Sequence, residues 1–137
     1  MQFQRVSFFF VAFVAFILCA LAAPVPADDD SLEKRITHSG RGTWYDTGLG
    51  ACGKWNNSWE MVVAISHLRW NGGGNCGQYM QINWGGKSQY AKVVDECMGC
   101  ADGDLDMSAS LFSHFASQSK GVLNGVSWHF MAKGWHP

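Results

Sequence analysis

The stretch VVDECMGCADGDLDMS, residues 93–108, concentrates acidic and sulfur chemistry between a β-branched run and a helix-like segment. Acids at this density serve a catalytic pair, a metal loop or a series of turns. Each interpretation implies a different compartment, fold and partner, so the residues outside the stretch must decide. It contains two cysteines, Cys97 and Cys100, and five carboxylates: Asp95, Glu96, Asp102, Asp104 and Asp106.

The N-terminus predicts the compartment. An uncharged apolar run, VSFFFVAFVAFILCALAA, follows Arg5 and ends in small residues, as in a cleaved signal peptide covering residues 1–23. A membrane anchor is the alternative, but the helix-breaking Pro24 and Pro26 and an acidic run follow directly, which favours cleavage. We therefore expect a secreted, extracellular protein that no longer contacts a membrane once the signal peptide is removed.

The composition changes at residue 35. Residues 24–35 end in the dibasic pair Lys34-Arg35, which is typical of a propeptide removed in the fungal secretory pathway. All 16 glycines and all seven tryptophans of the chain follow this pair. Residues 36–137 are therefore predicted to form a single compact domain.

The charge balance of the predicted domain limits its partners. Seven basic and seven acidic residues follow Arg35, so the domain has no net charge and no basic patch. A nucleic acid or an anionic membrane would have no electrostatic driving force to bind. We expect a neutral partner and a monomeric protein.

Four cysteines remain in the predicted domain: Cys52, Cys76, Cys97 and Cys100. In an oxidising compartment this even number predicts two disulfides, with three possible pairings. A four-thiolate zinc site is the alternative, because Cys97 and Cys100 have ligand spacing, but the other two cysteines do not form a second close pair. The five histidines are scattered, and no metal or cofactor is predicted.

Hydrophobic periodicity predicts a small barrel made of short strands with one helix. Gly85-Gly86 is a good two-residue hairpin turn. The helix, SASLFSHFASQS at 108–119, has Ser108 or Asp106 as its N-cap. The predicted strands are β-branched or aromatic runs at 61–66, 77–84, 88–95 and 126–133, with a further strand in GRGTWYD, residues 40–46.

A calcium-binding loop is another interpretation of the acidic residues. Asp102, Asp104 and Asp106 have the spacing of its first three ligands, but the loop also needs glycine at position six and glutamate at position twelve. Those positions are Met107 and Ser113. Asp102 and Asp104 are therefore interpreted as turn residues.

Five motifs in order resemble the double-psi β-barrel superfamily, which includes rare lipoprotein A-like domains, barwin and kiwellin-type proteins, expansins and small endoglucanases. The resemblance covers almost all of residues 36–137. It implies a mainly β fold, a six-stranded double-psi β-barrel with one short helix, and disulfides Cys52–Cys76 and Cys97–Cys100. The motifs are GTWYDTGLGACG (42–53), NCGQYMQI (75–82), AKVVDEC (91–97), DLDMS (104–108) and GVSWHFM (125–131).

The resemblance also implies a site. Asp106 matches the aspartate of the expansin DLS motif, which is the general acid in the related endoglucanases, and Asp95 matches a second acidic position of the expansin groove. Thr43 and Tyr45 match a hydroxyl pair in that groove. Together these residues would form a polar cluster on an open surface. Four tryptophans in or beside predicted loops could stack on sugar rings, namely Trp44, Trp55, Trp59 and Trp70.

Hydrolysis needs a second carboxyl group as base or nucleophile. The endoglucanase base follows a YWD pattern, whereas this chain has WYD, which places Asp46 one residue closer to the tyrosine. On a strand that shift turns the side chain to the opposite face. Binding without hydrolysis is therefore favoured; if the protein is an enzyme, we expect a glycoside hydrolase or lytic transglycosylase with Asp106 as general acid.

Two functions of different classes follow. The first is an expansin-like protein that binds cell-wall polysaccharide such as cellulose, chitin or peptidoglycan. The second is a protein-binding module, such as an inhibitor of a secreted cysteine protease or an apoplastic effector. Asn56, in the acceptor sequence Asn56-Asn57-Ser58, is a predicted glycosylation site.

Overall fold

The structure is a computed structural model that describes Pro24 and residues 36–137. The predicted signal peptide, residues 1–23, and residues 25–35 of the predicted propeptide lie outside the described residues. Within the described part of the chain, none of the helices has the length and apolar character needed to span a lipid bilayer.

Residues 36–137 form six strands, one α-helix and three short 3-10 turns. The 3-10 turns are His67–Arg69, Asn71–Gly73 and Gln118–Lys120. The strands are β1 (His38–Tyr45), β2 (Val62–Ser66), β3 (Tyr79–Trp84), β4 (Lys87–Cys97), β5 (Leu105–Ser108) and β6 (Leu123–Phe130), and the helix is α1 (Ala109–Phe115).

The six strands close into a barrel in the order β1-β5-β2-β4-β3-β6. Strands β1 and β5 are parallel, as are β2 and β4, whereas the other neighbours are antiparallel. Parallel neighbours cannot be joined by a tight hairpin, so long connections cross the barrel between them. The mainly β, six-stranded barrel expected from the resemblance is confirmed.

Alternating side chains fill the barrel. Met80 and Ile82 of β3 point inward, as do Val126, Trp128 and Phe130 of β6. Each large apolar side chain buried in this way stabilises the fold by roughly 2 kcal/mol. Helix α1 adds its own apolar side to the same core: Leu111, Phe112 and Phe115.

The observed elements differ from the predicted ones in three places. Strand β5 was not predicted, because four residues that include an aspartate carry almost no strand signal. Strand β6 begins at Leu123 and ends at Phe130, three residues earlier than predicted at each end. Helix α1 ends at Phe115 rather than 119, because Ala116 is extended. Ser108 is the N-cap, with its hydroxyl accepting a hydrogen bond from the Leu111 N–H.

Both disulfides have the expected pairing, Cys52–Cys76 and Cys97–Cys100. None of the four sulfurs is therefore a thiolate for zinc, so the zinc alternative is wrong. The first bond joins the β1–β2 loop to the segment before β3. The second closes a four-residue turn between β4 and β5, and the Ser66 hydroxyl donates to the Cys100 carbonyl of that turn.

The turn before β5 lies directly against β1. A Cβ on Gly103 would be 1.9 Å from the Ser39 carbonyl oxygen, and a Cβ on Gly40 would be 2.3 Å from the Gly103 carbonyl carbon. Since both obstacles are backbone atoms, no side-chain rotation relieves the overlap. Glycine at these two positions therefore allows β1 and the start of β5 to approach.

We expect Gly103→Ala to lower the free energy of unfolding by about 2 kcal/mol or more, because the methyl group displaces backbone rather than side chain. Urea denaturation monitored by tryptophan fluorescence measures this change. Gly99→Ala is the matched control, since a Cβ there meets no atom within 4 Å. Equal losses in the two variants would contradict the proposed close approach.

Candidate functional site

The strand register places three predicted site residues in one row across the barrel, with Ala64 between two of them. Thr43 pairs with Asp106 between β1 and β5, Asp106 pairs with Ala64 of β2, and Ala64 pairs with Asp95 of β4. The Thr43 hydroxyl donates a 2.8 Å hydrogen bond to Asp106 Oδ1. The two aspartates are two strand spacings apart, which places their Cα atoms about 10 Å from each other.

The row lies on the outside of the barrel. Leu105 and Met107, which flank Asp106, are fully buried in the core, so Asp106 points outward. The central residue, Ala64, has only a methyl group and is buried beneath its neighbours. The two acids therefore face each other across a small side chain, which leaves a shallow groove between them.

Tyr45 adds a phenol to this groove. It follows Thr43 by two residues on the outer face of β1. Burial raises the pKa of Tyr45 above its ordinary value, and the charges of Asp95 and Asp106 and hydrogen bonding with Asp95 raise it further. The phenol therefore stays protonated at physiological pH and acts as a hydrogen-bond donor.

The two aspartates have different surroundings. Burial raises the pKa of Asp106; the hydrogen bond from Thr43 acts in the opposite direction, and the charge of Asp95 adds to the rise. Asp95 is held by the backbone, because its Oδ1 accepts hydrogen bonds of 2.8 Å from the N–H groups of Ala51 and Glu96. Asp106 is thus a carboxyl group inclined to hold a proton, beside a carboxylate fixed in place.

The groove continues into a pocket of about 250 Å³ beside the Cys97–Cys100 turn. Arg41, two residues before Thr43 on the same face of β1, lines it together with Asp104. Arg41 Nη2 is 3.1 Å from Asp104 Oδ2, and the Arg41 N–H donates to Oδ1 at 2.8 Å. Although burial opposes its ionisation, these bonds and the Ala101 N–H lower the pKa of Asp104.

Sequence reasoning missed Arg41 and treated Asp104 as a simple turn residue. The signal for Arg41 was present: residues 41, 43 and 45 alternate along one predicted strand and share a face. Asp102, the other predicted turn residue, does lie in a turn, and pairs with Arg69 at 2.7 Å.

The tryptophans fall into two groups. Trp55 and Trp59 are 77% and 72% exposed in the β1–β2 loop, residues 46–61. Trp44 lies in β1, packs against the core and donates its indole N–H to the Gln118 carbonyl. It is therefore on the opposite face of β1 from Thr43 and Tyr45, and the structure does not bring it into the groove. Trp70 and Trp84 also pack against the core, and Trp128 is fully buried.

The loop that carries Trp55 is fixed onto β4. The Ala51 N–H bonds to Asp95, the Cys52 N–H donates to the Val94 carbonyl, and Cys52 is in a disulfide. Leu49 and Trp55 pair through an isolated β-bridge inside the loop. The same contacts therefore orient Asp95 and hold the loop that carries Trp55 against β4.

The structure also bears on the predicted glycosylation site and on metal binding. Asn56 is half-buried, and its amide nitrogen is 3.4 Å from Glu60 Oε1. Its glycosylation stays a prediction. Among residues 36–137, no group of three or more histidine, cysteine, aspartate or glutamate side chains is arranged to hold a metal ion.

Comparison with known proteins assigns the fold. No model of a known protein family matches the chain. It is 31% identical to the papain inhibitor of Streptomyces mobaraensis, in an alignment covering 93% of this chain and 94% of the inhibitor. The structure of the Streptomyces papain inhibitor superposes with a TM-score of 0.65 at 28% identity, over 71% of this chain and 96% of the inhibitor. The chain belongs to this family of double-psi β-barrels.

Two other proteins that the chain resembles are longer. The chain is 36% identical over 96 residues to the allergen Asp f 7 of Aspergillus fumigatus, covering 66% of this chain but only 36% of the allergen. The chain thus spans little more than a third of that relative. An expansin of Clavibacter michiganensis superposes with a TM-score of 0.67 at 26% identity, over 74% of this chain and 54% of the expansin. A mutant of that expansin has been solved with cellohexaose.

We expect Asp106→Asn to raise stability at neutral pH. Because the pKa of Asp106 is raised in the folded state, the native protein holds this proton more tightly than the unfolded chain, so stability falls as pH rises through the folded pKa. Asparagine keeps an acceptor for Thr43 but carries no charge.

Thermal unfolding at several pH values measures this effect. The advantage of Asp106→Asn should shrink as the pH falls through the raised pKa of Asp106 towards its ordinary value of 3.8. Asp102→Asn, at an exposed ion pair, is the control and should give no gain at neutral pH. A loss of stability in Asp106→Asn at pH 7 would contradict the electrostatic assignment.

Proposed function

We propose that this protein is secreted and binds cell-wall polysaccharide in the groove formed by Thr43, Tyr45, Asp95 and Asp106, without hydrolysing it. The observation that carries the proposal is the row that sets Thr43, Asp106 and Asp95 side by side on the outer barrel face, with Tyr45 against both acids. The similar expansin fold, solved in one mutant with cellohexaose, supports it.

The groove matches the chemistry of a sugar polymer. Sugar hydroxyls both donate and accept hydrogen bonds, and the groove offers a protonated phenol at Tyr45 together with carboxyl acceptors at Asp95 and Asp106. Arg41 adds donors at the far end. Trp55 supplies an exposed indole, available to stack on a sugar ring, in the loop whose Ala51 N–H bonds to Asp95. An open, shallow groove accepts a continuous chain rather than a single small molecule.

The surroundings of the second acid favour binding over hydrolysis. Two-carboxylate hydrolysis needs a base or nucleophile free to act on water or on the sugar. Asp95 Oδ1 is occupied by two backbone N–H groups, and Tyr45 faces the same carboxylate. Asp46, the other candidate base, is exposed just beyond the end of β1. The raised pKa of Asp106 leaves single-acid cleavage, as in a lytic transglycosylase, as the enzymatic alternative.

Retention on insoluble cellulose, chitin and peptidoglycan tests the proposal. We expect the wild-type protein to be retained on at least one polymer, and Asp106→Ala to weaken retention about tenfold, since it removes a hydrogen bond to a charged group and leaves Thr43 without its acceptor. Asp102→Ala is the control outside the groove.

Absence of retention on all three polymers would refute the proposal. New sugar ends released by the wild type, and lost in Asp106→Asn, would instead establish the enzymatic alternative.

A second function is favoured by a separate observation. The sequence match to the papain inhibitor covers more than nine-tenths of both chains. The β1–β2 loop presents exposed Leu49, Trp55 and Trp59 on a segment held by a disulfide and by β4. A rigid apolar loop loses little conformational entropy on binding, and exposed tryptophans are frequent hot spots at protein interfaces. Under this alternative the loop, rather than the groove, contacts a cysteine protease.

Inhibition titrations against papain test this alternative. Trp55→Ala should raise the inhibition constant by about tenfold or more, because it removes a large apolar contact at the centre of the loop surface. Leu68→Ala, at another exposed apolar residue outside the loop, is the matched control. A wild-type titration without inhibition would eliminate the protease function, whatever the result with polysaccharides.

A further inference from the structure

A second depression, of about 320 Å³, lies on the outer wall of β3 and β4, apart from the groove residues. Its lining includes Tyr79, Gln89, Tyr90 and Lys92, with Glu60 and Met61 at the end of the β1–β2 loop. Neither the groove nor the exposed tryptophans of the β1–β2 loop use these side chains. A concave site of this size is at the lower end of the range for small-ligand pockets.

Aromatic rings form one side of this depression. Tyr79 pairs with Lys92 across the strands, and Tyr90 precedes Lys92 by two residues, so all three point outward while Met80 and Ala91 fill the core. The Trp135 ring centroid is 4.8 Å from that of Tyr90 and 6.0 Å from that of Tyr79. The two tyrosine rings are therefore held in place by a third ring on the outer side of the strands.

Lys92 is the basic residue in the lining of the depression, and Glu60 is its acidic side chain. Lys92 Nζ is 5.4 Å from the Tyr79 ring centroid, and Lys92 takes part in neither of the ion pairs described for residues 36–137. Gln89 Oε1 accepts from the Tyr90 N–H, which leaves the amide NH2 as its remaining polar group. The carboxylate of Glu60 is turned into its own loop, where Asn56 Nδ2 and the Asn57 N–H donate to it.

We propose that this depression binds a carboxylated sugar ring, such as a hexuronate unit of an acidic wall polysaccharide. A tyrosine ring covers the apolar face of the sugar, and the Lys92 ammonium pairs with its carboxylate. The tyrosine hydroxyls reach the ring hydroxyls. This site offers a positively charged side chain to its ligand, whereas the groove carries acids and accepts a neutral polymer. The proposal does not depend on the function proposed for the groove.

Isothermal titration calorimetry of the secreted protein with trigalacturonate at low salt tests this site. We expect Lys92→Gln to weaken binding about fivefold, the effect of one partly exposed ion pair. Methyl-esterified trigalacturonate should bind more weakly than the acid and should be insensitive to Lys92→Gln, because no carboxylate remains to pair. Tyr90→Ala should weaken both ligands, since each uses the ring.

Lys54→Gln is the matched control, because it removes the same charge from an exposed loop position outside the depression. It should leave the affinity unchanged. The proposal is overturned if trigalacturonate does not bind at millimolar concentration, if the ester binds as tightly as the acid, or if Lys54→Gln causes the same loss as Lys92→Gln.

Discussion

The parallel pairing of β1 with β5 is the constraint on which the site depends. It sets Thr43 beside Asp106, and the antiparallel pairing of β5 with β2 carries the alignment on to Ala64 and then Asp95. Because side chains alternate along a strand, a slip of one residue would turn Asp106 into the core and expose an apolar neighbour. Burial of Leu105 and Met107 on the inner side of β5 thus fixes the outward orientation of Asp106.

Several contacts around the start of β5 hold this register. The Cys97–Cys100 disulfide shortens the connection from β4, Arg41 bonds to Asp104 through both backbone and side chain, and Gly103 lets the turn lie against β1. The Trp128 indole N–H also donates to the Gly103 carbonyl from inside the barrel. Within the acidic stretch at 93–108, Asp104 anchors the turn, whereas Asp106 faces outward beside Thr43.

The sequence pattern predicted those features that depend on interactions between residues close together in the chain. The alternation of apolar residues in β3 and β6 follows from short-range rules, as do the positive φ angles of Gly85 and Gly86 in the hairpin turn between β3 and β4, and the structure has both. Strand β5 was not predicted from its pattern, because its stability comes from two neighbouring strands rather than from its four residues. The disulfide pairing was implied only by the resemblance, since three pairings satisfied the spacing.

The position of Trp44 shows a second limit of sequence reasoning. A tryptophan near a predicted loop can stack on a ligand or close the core, and the choice depends on which face of β1 it occupies. The core needs an apolar side chain opposite Thr43 and Tyr45, so Trp44 packs inward. Trp55 and Trp59 lie in the β1–β2 loop and not on a strand that faces the core, and they stay exposed. Exposure in a loop held by a disulfide is a property of the tertiary structure.

The proposals assign different partners to different faces of one barrel: a neutral polymer to the acidic groove, and a protease to the tryptophan loop. Chemical-shift mapping of the 15N-labelled protein with soluble fragments of cellulose, chitin and peptidoglycan distinguishes them most directly. The polysaccharide account predicts that, for at least one of the three, the largest shifts occur at the amides of Thr43, Tyr45, Asp95 and Asp106. Shifts confined to the loop around Trp55, or no shifts with any of the three, would contradict it.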